Sequence, residues 1–166
     1  MRRLAALGLV IVVSSVWVAA DEMSVQVDPR ATLSLFRTFA LRAAEINSDR
    51  PELDNTLFVK KLGNTIRMAL TARGLNEVAD RPDLFVDYRL TGEDVSTSAR
   101  GFTRGMGPRP LRFTQGTLVI DLTRPGETSA VWRGVYRDDE MTGSRLMQKL
   151  PEDAKKLIAR YPSRPR

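Results

Sequence analysis

The residues that could do chemistry in this chain are carboxylates and arginines, because its 166 residues include no histidine and no cysteine. The usual general base, zinc ligands and thiol nucleophile are therefore missing. Asp87 and Asp121 lie in two predicted strands and could form an acid–base pair only if they shared a cleft. Arginines such as Arg89, Arg133 or Arg137 could instead pair with them across strands. We predict a protein that is not an enzyme, with a carboxylate-only hydrolase acting on an envelope polymer as the alternative.

The acidic run Asp138-Asp139-Glu140 is the second group of carboxylates that invites a functional interpretation. Calcium accepts carboxylate and carbonyl oxygens, but its loops alternate the ligands and include a glycine. This run has neither feature, so we interpret it as an acidic turn in solvent. The sequence accordingly predicts no metal site and no cofactor.

Residues 92–116 form the segment best suited to a partner, and we interpret them as a long Arg/Gly-rich loop between two strands. Such long connections are uncommon in compact domains and are typically functional or disordered. Arginines here could contact phosphates or carboxylates while apolar side chains add hydrophobic contact, and a loop without a ligand is the alternative. No Gly-Lys-Ser/Thr motif follows, so it is not a phosphate loop. The candidate partner- or anion-binding residues are Arg100, Phe102, Arg104, Arg109, Arg112 and Phe113.

The first 20 residues have the pattern of a secretory signal peptide. Arg2 and Arg3 precede an apolar run that ends in Val18-Ala19-Ala20. The run is about fifteen residues long, whereas a membrane-spanning helix needs roughly twenty. We predict cleavage after Ala20 and a periplasmic product, and an uncleaved anchor in the inner membrane is the alternative. The chain has a net charge of +6, and removal of residues 1–20 takes away two arginines and leaves about +4. A positive surface would favour an anionic envelope component or envelope protein as partner, and a solvated surface of mixed charge is the alternative. Nucleic acid is not expected in that compartment.

The elements that must position these residues follow from hydrophobic periodicity. Alternating residues predict five strands, and a helix capped by Asp54 or Asn55 closes at Gly74. A second helix is expected from Pro151, because proline disfavours helical backbone before it and suits a first turn, and a turn of helix before it is the alternative. The predicted strands cover residues 23–28, 38–42, 84–90, 117–123 and 130–137, and the helices cover about 55–73 and 151–160.

This order predicts an α+β fold, a two-layer sandwich in which two helices cover one face of a mostly antiparallel twisted sheet of about five strands. Residues 21–162 form a single domain, 43–52 a connecting loop and 163–166 a disordered tail. Pro125-Gly126 predicts a type II turn between the last two strands. The final strand carries apolar residues on both faces, and we place Trp132 inside.

Several short motifs in sequence order resemble a bacterial envelope family known as domain of unknown function 4136. The resemblance covers nearly all of the chain after residue 20, and it implies envelope proteins of Gram-negative bacteria, mostly lipoproteins, without an established activity. This chain departs from the pattern because it has no lipid-accepting cysteine after the signal. The motifs are Val27-Asp28-Pro29, Phe36-Arg37-Thr38-Phe39-Ala40, Ala72-Arg73-Gly74-Leu75, Pro82-Asp83-Leu84-Phe85-Val86-Asp87-Tyr88, Gly116-Thr117-Leu118-Val119-Ile120-Asp121-Leu122, Val131-Trp132-Arg133-Gly134 and Tyr161-Pro162.

Overall fold

The computed structural model of the chain describes residues 22–48, 51–98 and 110–163, with the backbone alone for 94–98, 110–114 and 139–141. In this part of the chain, seven strands form one sheet that is packed with two α-helices. The elements are β1 (Glu22–Val27), β2 (Thr38–Leu41), β3 (Glu45–Ser48), α1 (Thr56–Ala72), β4 (Asn76–Glu77), β5 (Leu84–Ser98), β6 (Pro110–Thr123), β7 (Ala130–Met141) and α2 (Gly143–Ile158).

The sheet has the strand order β1-β7-β6-β5-β2-β4, and β3 also pairs with β5. The pairs β1–β7, β7–β6 and β6–β5 are antiparallel, whereas β2 and β3 run parallel to β5 and β4 runs parallel to β2. The predicted α+β class with two helices on a mostly antiparallel sheet is therefore confirmed. No helix among the described residues is long and apolar enough to cross a membrane.

Helix α1 begins and ends as its sequence predicts. The Asn55 side chain accepts hydrogen bonds from the backbone amides of Leu57 (2.9 Å) and Phe58 (3.3 Å). At the other end, Gly74 adopts a φ of 94°, and the Leu75 amide donates to the Leu70 carbonyl over 3.2 Å. The face between these ends buries Phe58, Leu62, Ile66 and Leu70 against the sheet.

The predicted loop over 92–116 was wrong at both ends, because β5 continues to Ser98 and β6 begins at Pro110. Gly92 and Gly116 pair directly across the two strands. A Cβ atom on Gly92 would lie 2.4 Å from Leu53 Cδ1, and one on Gly116 would lie 2.5 Å from Leu146 Cδ2. These glycines thus make room for leucines that pack on the strands, rather than turning the chain.

The predicted loop over 43–52 also contains a strand, since β3 pairs its residues Glu45–Ser48 with β5. Its four residues are too few to show a period.

The prediction that the second helix begins at Pro151 was wrong as well, because α2 starts at Gly143 and includes Pro151. Proline inside a helix costs about 3 kcal/mol. Full burial of Leu146 and Leu150 offsets that cost, at about 1.5–3 kcal/mol each.

The last strand carries the largest side chain of the core. Trp132 is fully buried, as predicted, and its ring meets that of Tyr161 edge-on, with 6.0 Å between the centroids. The predicted Pro125-Gly126 turn precedes this strand. There the Glu127 amide donates to the Arg124 carbonyl over 3.1 Å, and Gly126 has the positive φ, 81°, that a type II turn needs at this position.

Asp83 fastens β2 to the start of β5. Its Oδ2 accepts hydrogen bonds from the backbone amides of Arg37 (2.7 Å) and Thr38 (2.9 Å). The Thr38 hydroxyl in turn accepts a hydrogen bond from the Asp83 amide over 2.9 Å. These backbone donors, with Arg37 first, lower the pKa of the Asp83 carboxyl, although partial burial opposes them.

Gly134 tests the close packing of α2 on β7. A Cβ atom at this position would lie 2.6 Å from Trp132 Cη2 and 2.8 Å from Leu157 Cγ. We expect Gly134→Ala to lower the free energy of unfolding by about 1–3 kcal/mol, because the buried neighbours must move. Urea denaturation followed by tryptophan fluorescence measures this loss. Ser24→Ala is the control, because Ser24 is exposed on the neighbouring strand β1 and its substitution should change the free energy of unfolding by less than about 0.5 kcal/mol. Equal stability of Gly134→Ala and the wild type would contradict the packing.

We predict that the Asp83 carboxylate makes part of the folding stability depend on acidic pH. Its folded-state pKa lies below the unfolded value of 3.8, so the ionised carboxylate stabilises the fold above that value, and this contribution is lost as pH falls through the folded pKa. We expect Asp83→Asn to cost about 0.5–1.5 kcal/mol at pH 6, with a smaller difference from the wild type at pH 3. Urea denaturation at both pH values measures it. Asp80→Asn, which changes an exposed neighbouring carboxylate, should leave the free energy of unfolding unchanged at both pH values.

Candidate functional site

The arginine-rich segment lies at the end of the β5–β6 hairpin. Arg100, Phe102, Arg104 and Arg109 lie outside the described residues, and the backbone alone is described for Arg112 and Phe113 in β6. In the β5–β6 register Arg112 is opposite Ser96, Phe113 is opposite Val95, and the last pair is Ser98 with Pro110. The other candidate residues therefore belong to the connection between the two strands.

The far end of this hairpin extends past the neighbouring strands. Among the described pairs, β3 follows β5 only to Gly92, and β7 follows β6 only to Thr114. The β5–β6 pairs continue for four residues beyond that point, from Val95 with Phe113 to Ser98 with Pro110. At roughly 3.4 Å per residue, this two-stranded ribbon is about 14 Å long. We call residues 95–98 and 110–113 the ribbon.

Asp87 and Asp121 do share a cleft, on the sheet face opposite the helices. They are directly opposite each other in the β5–β6 register, and both line a cavity of about 240 Å³. The carboxylate of Asp121 is bound by two guanidinium groups. Arg133 donates to it through Nε (2.6 Å) and Nη2 (2.8 Å), and Arg89 donates through Nη2 over 3.2 Å. The hydrogen bond and charge of Asp121 raise the pKa of Arg133, so this guanidinium stays charged.

The other carboxylates of this cleft also have arginine partners. Arg42 Nη1 lies 3.3 Å from Asp87 Oδ2, and its guanidinium lies over the Phe85 ring at 4.0 Å from the centroid. Arg89 Nε lies 3.2 Å from Glu45 Oε2. The predicted arginine pairing is therefore present for Asp121, whereas Asp87 has the unpredicted partner Arg42, and Arg137 instead lies 3.9 Å from Glu22. These pairs occupy the carboxylates that an acid–base mechanism would need.

A second, larger cleft of about 480 Å³ lies between α1 and the connection from β2 to β3. Its basic side chains are Arg42, Lys60 and Arg67, and its acidic side chain is Asp54. Lys60, Gly63 and Arg67 follow each other at intervals of three and four residues, which places them on one face of the helix. The remaining lining residues are Leu41, Ala43, Ala44, Ile46, Thr56, Val59 and Tyr88.

Tyr88 lines this cleft from β5. The residue as a whole is 95% buried, yet its hydroxyl has no hydrogen-bond partner among the described residues. A Cβ atom on Gly63 would lie 2.9 Å from that hydroxyl oxygen, so the glycine provides the space in which the oxygen sits. Burial raises the pKa of the Tyr88 hydroxyl, and the nearby charge of Arg67 partly opposes this, so the group is a neutral donor at neutral pH.

The cations of this cleft differ in their partners. Arg67 Nε lies 2.8 Å from Glu77 Oε1, and its Nη1 donates to Asn64 Oδ1 over 2.9 Å. Arg42 is paired with Asp87. Lys60 has no carboxylate partner in the described part of the chain, so its ammonium is available to a ligand. No sequence-based prediction pointed to this cleft, although a glycine within a helix pattern, here Gly63, indicates that another group packs closely against the helix.

The sequence predicted that Asp138 lies in a solvated turn. This prediction was wrong, because Asp138 lies within β7 and is buried. Tyr136 donates its hydroxyl proton to Asp138 Oδ2 over 3.0 Å, and Lys149 Nζ lies 3.9 Å from the same oxygen. Burial and this carboxylate raise the pKa of Tyr136. Among the described residues, no group of three or more side chains could hold a metal ion.

The comparisons with solved structures concern the fold. A PDZ domain protein from Parabacteroides distasonis matches with a TM-score of 0.60 and 14% identity, over 87% of this chain and 36% of that one. The chain thus spans about a third of the length of that protein. A DUF4136 family protein from Bacteroides thetaiotaomicron matches with a TM-score of 0.50 and 16% identity, over 85% of this chain and 93% of that one.

A weaker match is PelC from Paraburkholderia phytofirmans, with a TM-score of 0.46 and 11% identity, over 86% of this chain and 94% of that one. No curated protein matches the sequence. The family described as Domain of unknown function (DUF4136) matches residues 23–163, which include both helices and all but the first residue of the sheet. The chain therefore belongs to the DUF4136 family, whose function is unknown.

Proposed function

We propose that the protein is an exported, non-enzymatic binding module of the bacterial envelope, and that it binds an anionic envelope component or partner protein through the arginine-rich end of the β5–β6 hairpin. The observation that carries this proposal is the ribbon, which continues past the strands on either side of it. It leads directly into the connection that contains Arg100, Arg104 and Arg109.

The chemistry of this segment supports an anionic partner. Arginine donates two parallel hydrogen bonds to phosphate or carboxylate groups, and Phe102 and Phe113 could add apolar contact at a lipid surface. The carboxylates on the open sheet face are already paired with arginines. The alternative, a carboxylate-only hydrolase that uses Asp87 and Asp121, would have to break these pairs before either group could transfer a proton.

The envelope location rests on the first 20 residues. Their arginine pair, short apolar run and small-residue ending are typical of a signal peptide, whose removal after Ala20 would release the domain into the periplasm. A chain without cysteine has no site for a lipid on a new N-terminal cysteine.

The mature N-terminus tests this location. We expect full-length protein expressed in a Gram-negative host to be recovered from the periplasmic fraction with Asp21 as its first residue, because peptidases cleave after small residues. Mass spectrometry of the intact protein measures it. Intact Met1 in the inner-membrane fraction would contradict cleavage and identify residues 4–18 as an anchor.

Vesicle binding tests the arginine-rich segment. We expect the protein to sediment with phosphatidylglycerol vesicles but not with phosphatidylcholine vesicles. Each arginine near an anionic surface contributes about 1 kcal/mol. The quadruple variant of Arg100, Arg104, Arg109 and Arg112 to glutamine should therefore bind at least about 100-fold more weakly.

A matched quadruple variant removes the same charge elsewhere. Arg30, Lys61, Arg81 and Arg145 are exposed residues outside the hairpin, and their change to glutamine should alter vesicle binding by less than about threefold, since screening limits the reach of surface charges. If both variants lose binding equally, net charge rather than the hairpin is responsible. If neither loses binding, the proposed site is wrong.

A further inference from the structure

We propose that the cleft between α1 and the β2–β3 connection is a separate binding site for a small phosphate-bearing molecule, with Lys60 and the Tyr88 hydroxyl as its direct contacts. The site does not use the arginine-rich hairpin, so it does not depend on the function proposed above. Its volume, about 480 Å³, lies within the usual range for small-molecule sites, about 300–1,000 Å³.

The Tyr88 hydroxyl opens into the cleft. The residue as a whole is 95% buried, and its hydroxyl donates to no other group in the described part of the chain. Among the described residues, the fully buried side-chain atoms without a partner are Trp132 Nε1 and one Asp153 oxygen, so the Tyr88 oxygen keeps access to solvent. A ligand oxygen in the cleft would replace water as the acceptor of this proton.

The helix backbone beside this hydroxyl leaves space for it. Gly63 lies in the middle of α1, where glycine costs about 1 kcal/mol relative to alanine. Any larger residue would place its Cβ 2.9 Å from the tyrosine oxygen. Gly63 therefore weakens the helix but leaves space for this hydroxyl.

The charges of the cleft leave one cation available. Lys60 and Arg67 flank Gly63 on the same helix face, and Arg42 and Asp54 also line the cleft. The two arginines already bind Glu77 and Asp87, whereas Lys60 is unpaired among the described residues. The Lys60 ammonium can therefore bind an anion without giving up a salt bridge.

The geometry of these donors favours phosphate. Lysine acts as a point charge and suits a tetrahedral anion, whereas planar carboxylates are best bound by the two-pronged contact of a free arginine. In this cleft the ammonium of Lys60 comes from the helix and the hydroxyl of Tyr88 comes from the sheet. Apolar residues such as Val59 and Ile46 complete the walls and would contact the carbon part of the molecule.

Nuclear magnetic resonance titration of the full-length chain as it is recovered from cells tests the site. The probes are inorganic phosphate, glycerol 3-phosphate and phosphatidylglycerol vesicles, which separate a free phosphate compound from a lipid head group. We expect a saturable shift of the Gly63 amide with at least one probe. Lys60→Gln and Tyr88→Phe should each weaken that binding about tenfold, as expected for the loss of one hydrogen bond to a charged group.

Lys61→Gln is the matched control, because this lysine is the next residue of the same helix, is exposed and does not line the cleft. Tyr88→Phe removes only an oxygen without a protein partner, so the fold should be retained. The proposal is overturned if no probe shifts Gly63 saturably, or if the Lys60 and Lys61 variants bind alike. The quadruple arginine variant of the hairpin should keep phosphate binding at this cleft, so the two proposals can fail separately.

Discussion

The fold is held together by close packing of the helices and their flanking segments on one face of the β5–β6–β7 sheet. Burying that face removes Leu84, Val86, Leu118 and Ile120 from water, and each large apolar side chain contributes about 1.5–3 kcal/mol. This close packing is possible because glycines stand where leucines must fit. Gly92, Gly116 and Gly134 leave room for Leu53, Leu146 and Leu157 respectively.

The same one-sided packing decides where charge can be used. The face opposite the helices keeps its arginines and carboxylates at the surface, where they neutralise each other in pairs such as Asp121 with Arg133. In the described part of the chain, Lys60 has no carboxylate partner and lines the larger cleft together with Tyr88. The facing carboxylates Asp87 and Asp121, in contrast, are held in salt bridges.

Local signals predicted the parts of the fold that depend on neighbours in sequence. Asn55, Gly74 and Gly126 occupy positions where a cap or a positive φ is required, and the structure has each of them in that role. Glycine is common both in turns and at strand positions where another side chain packs closely. Gly92 and Gly116 were therefore predicted to bound a loop, although they lie within paired strands. Pro151 considered alone predicts the start of a helix. Leu146 and Leu150, which are buried in the turns before it, stabilise a helix that begins at Gly143 and includes the proline.

Residue types and periodicity were enough to predict the α+β class, the family resemblance and the lack of histidine and cysteine chemistry. They offered Arg89, Arg133 and Arg137 alike as partners of the strand carboxylates, and the strand register selects Arg89 and Arg133 for Asp121. The folded chain alone shows that Asp87 faces Asp121 in one cleft, that Asp138 is buried, and that Lys60, Gly63 and Tyr88 line another cleft. Strand register and the packing of helix on sheet join residues far apart in the chain. No local pattern encodes the distance between them.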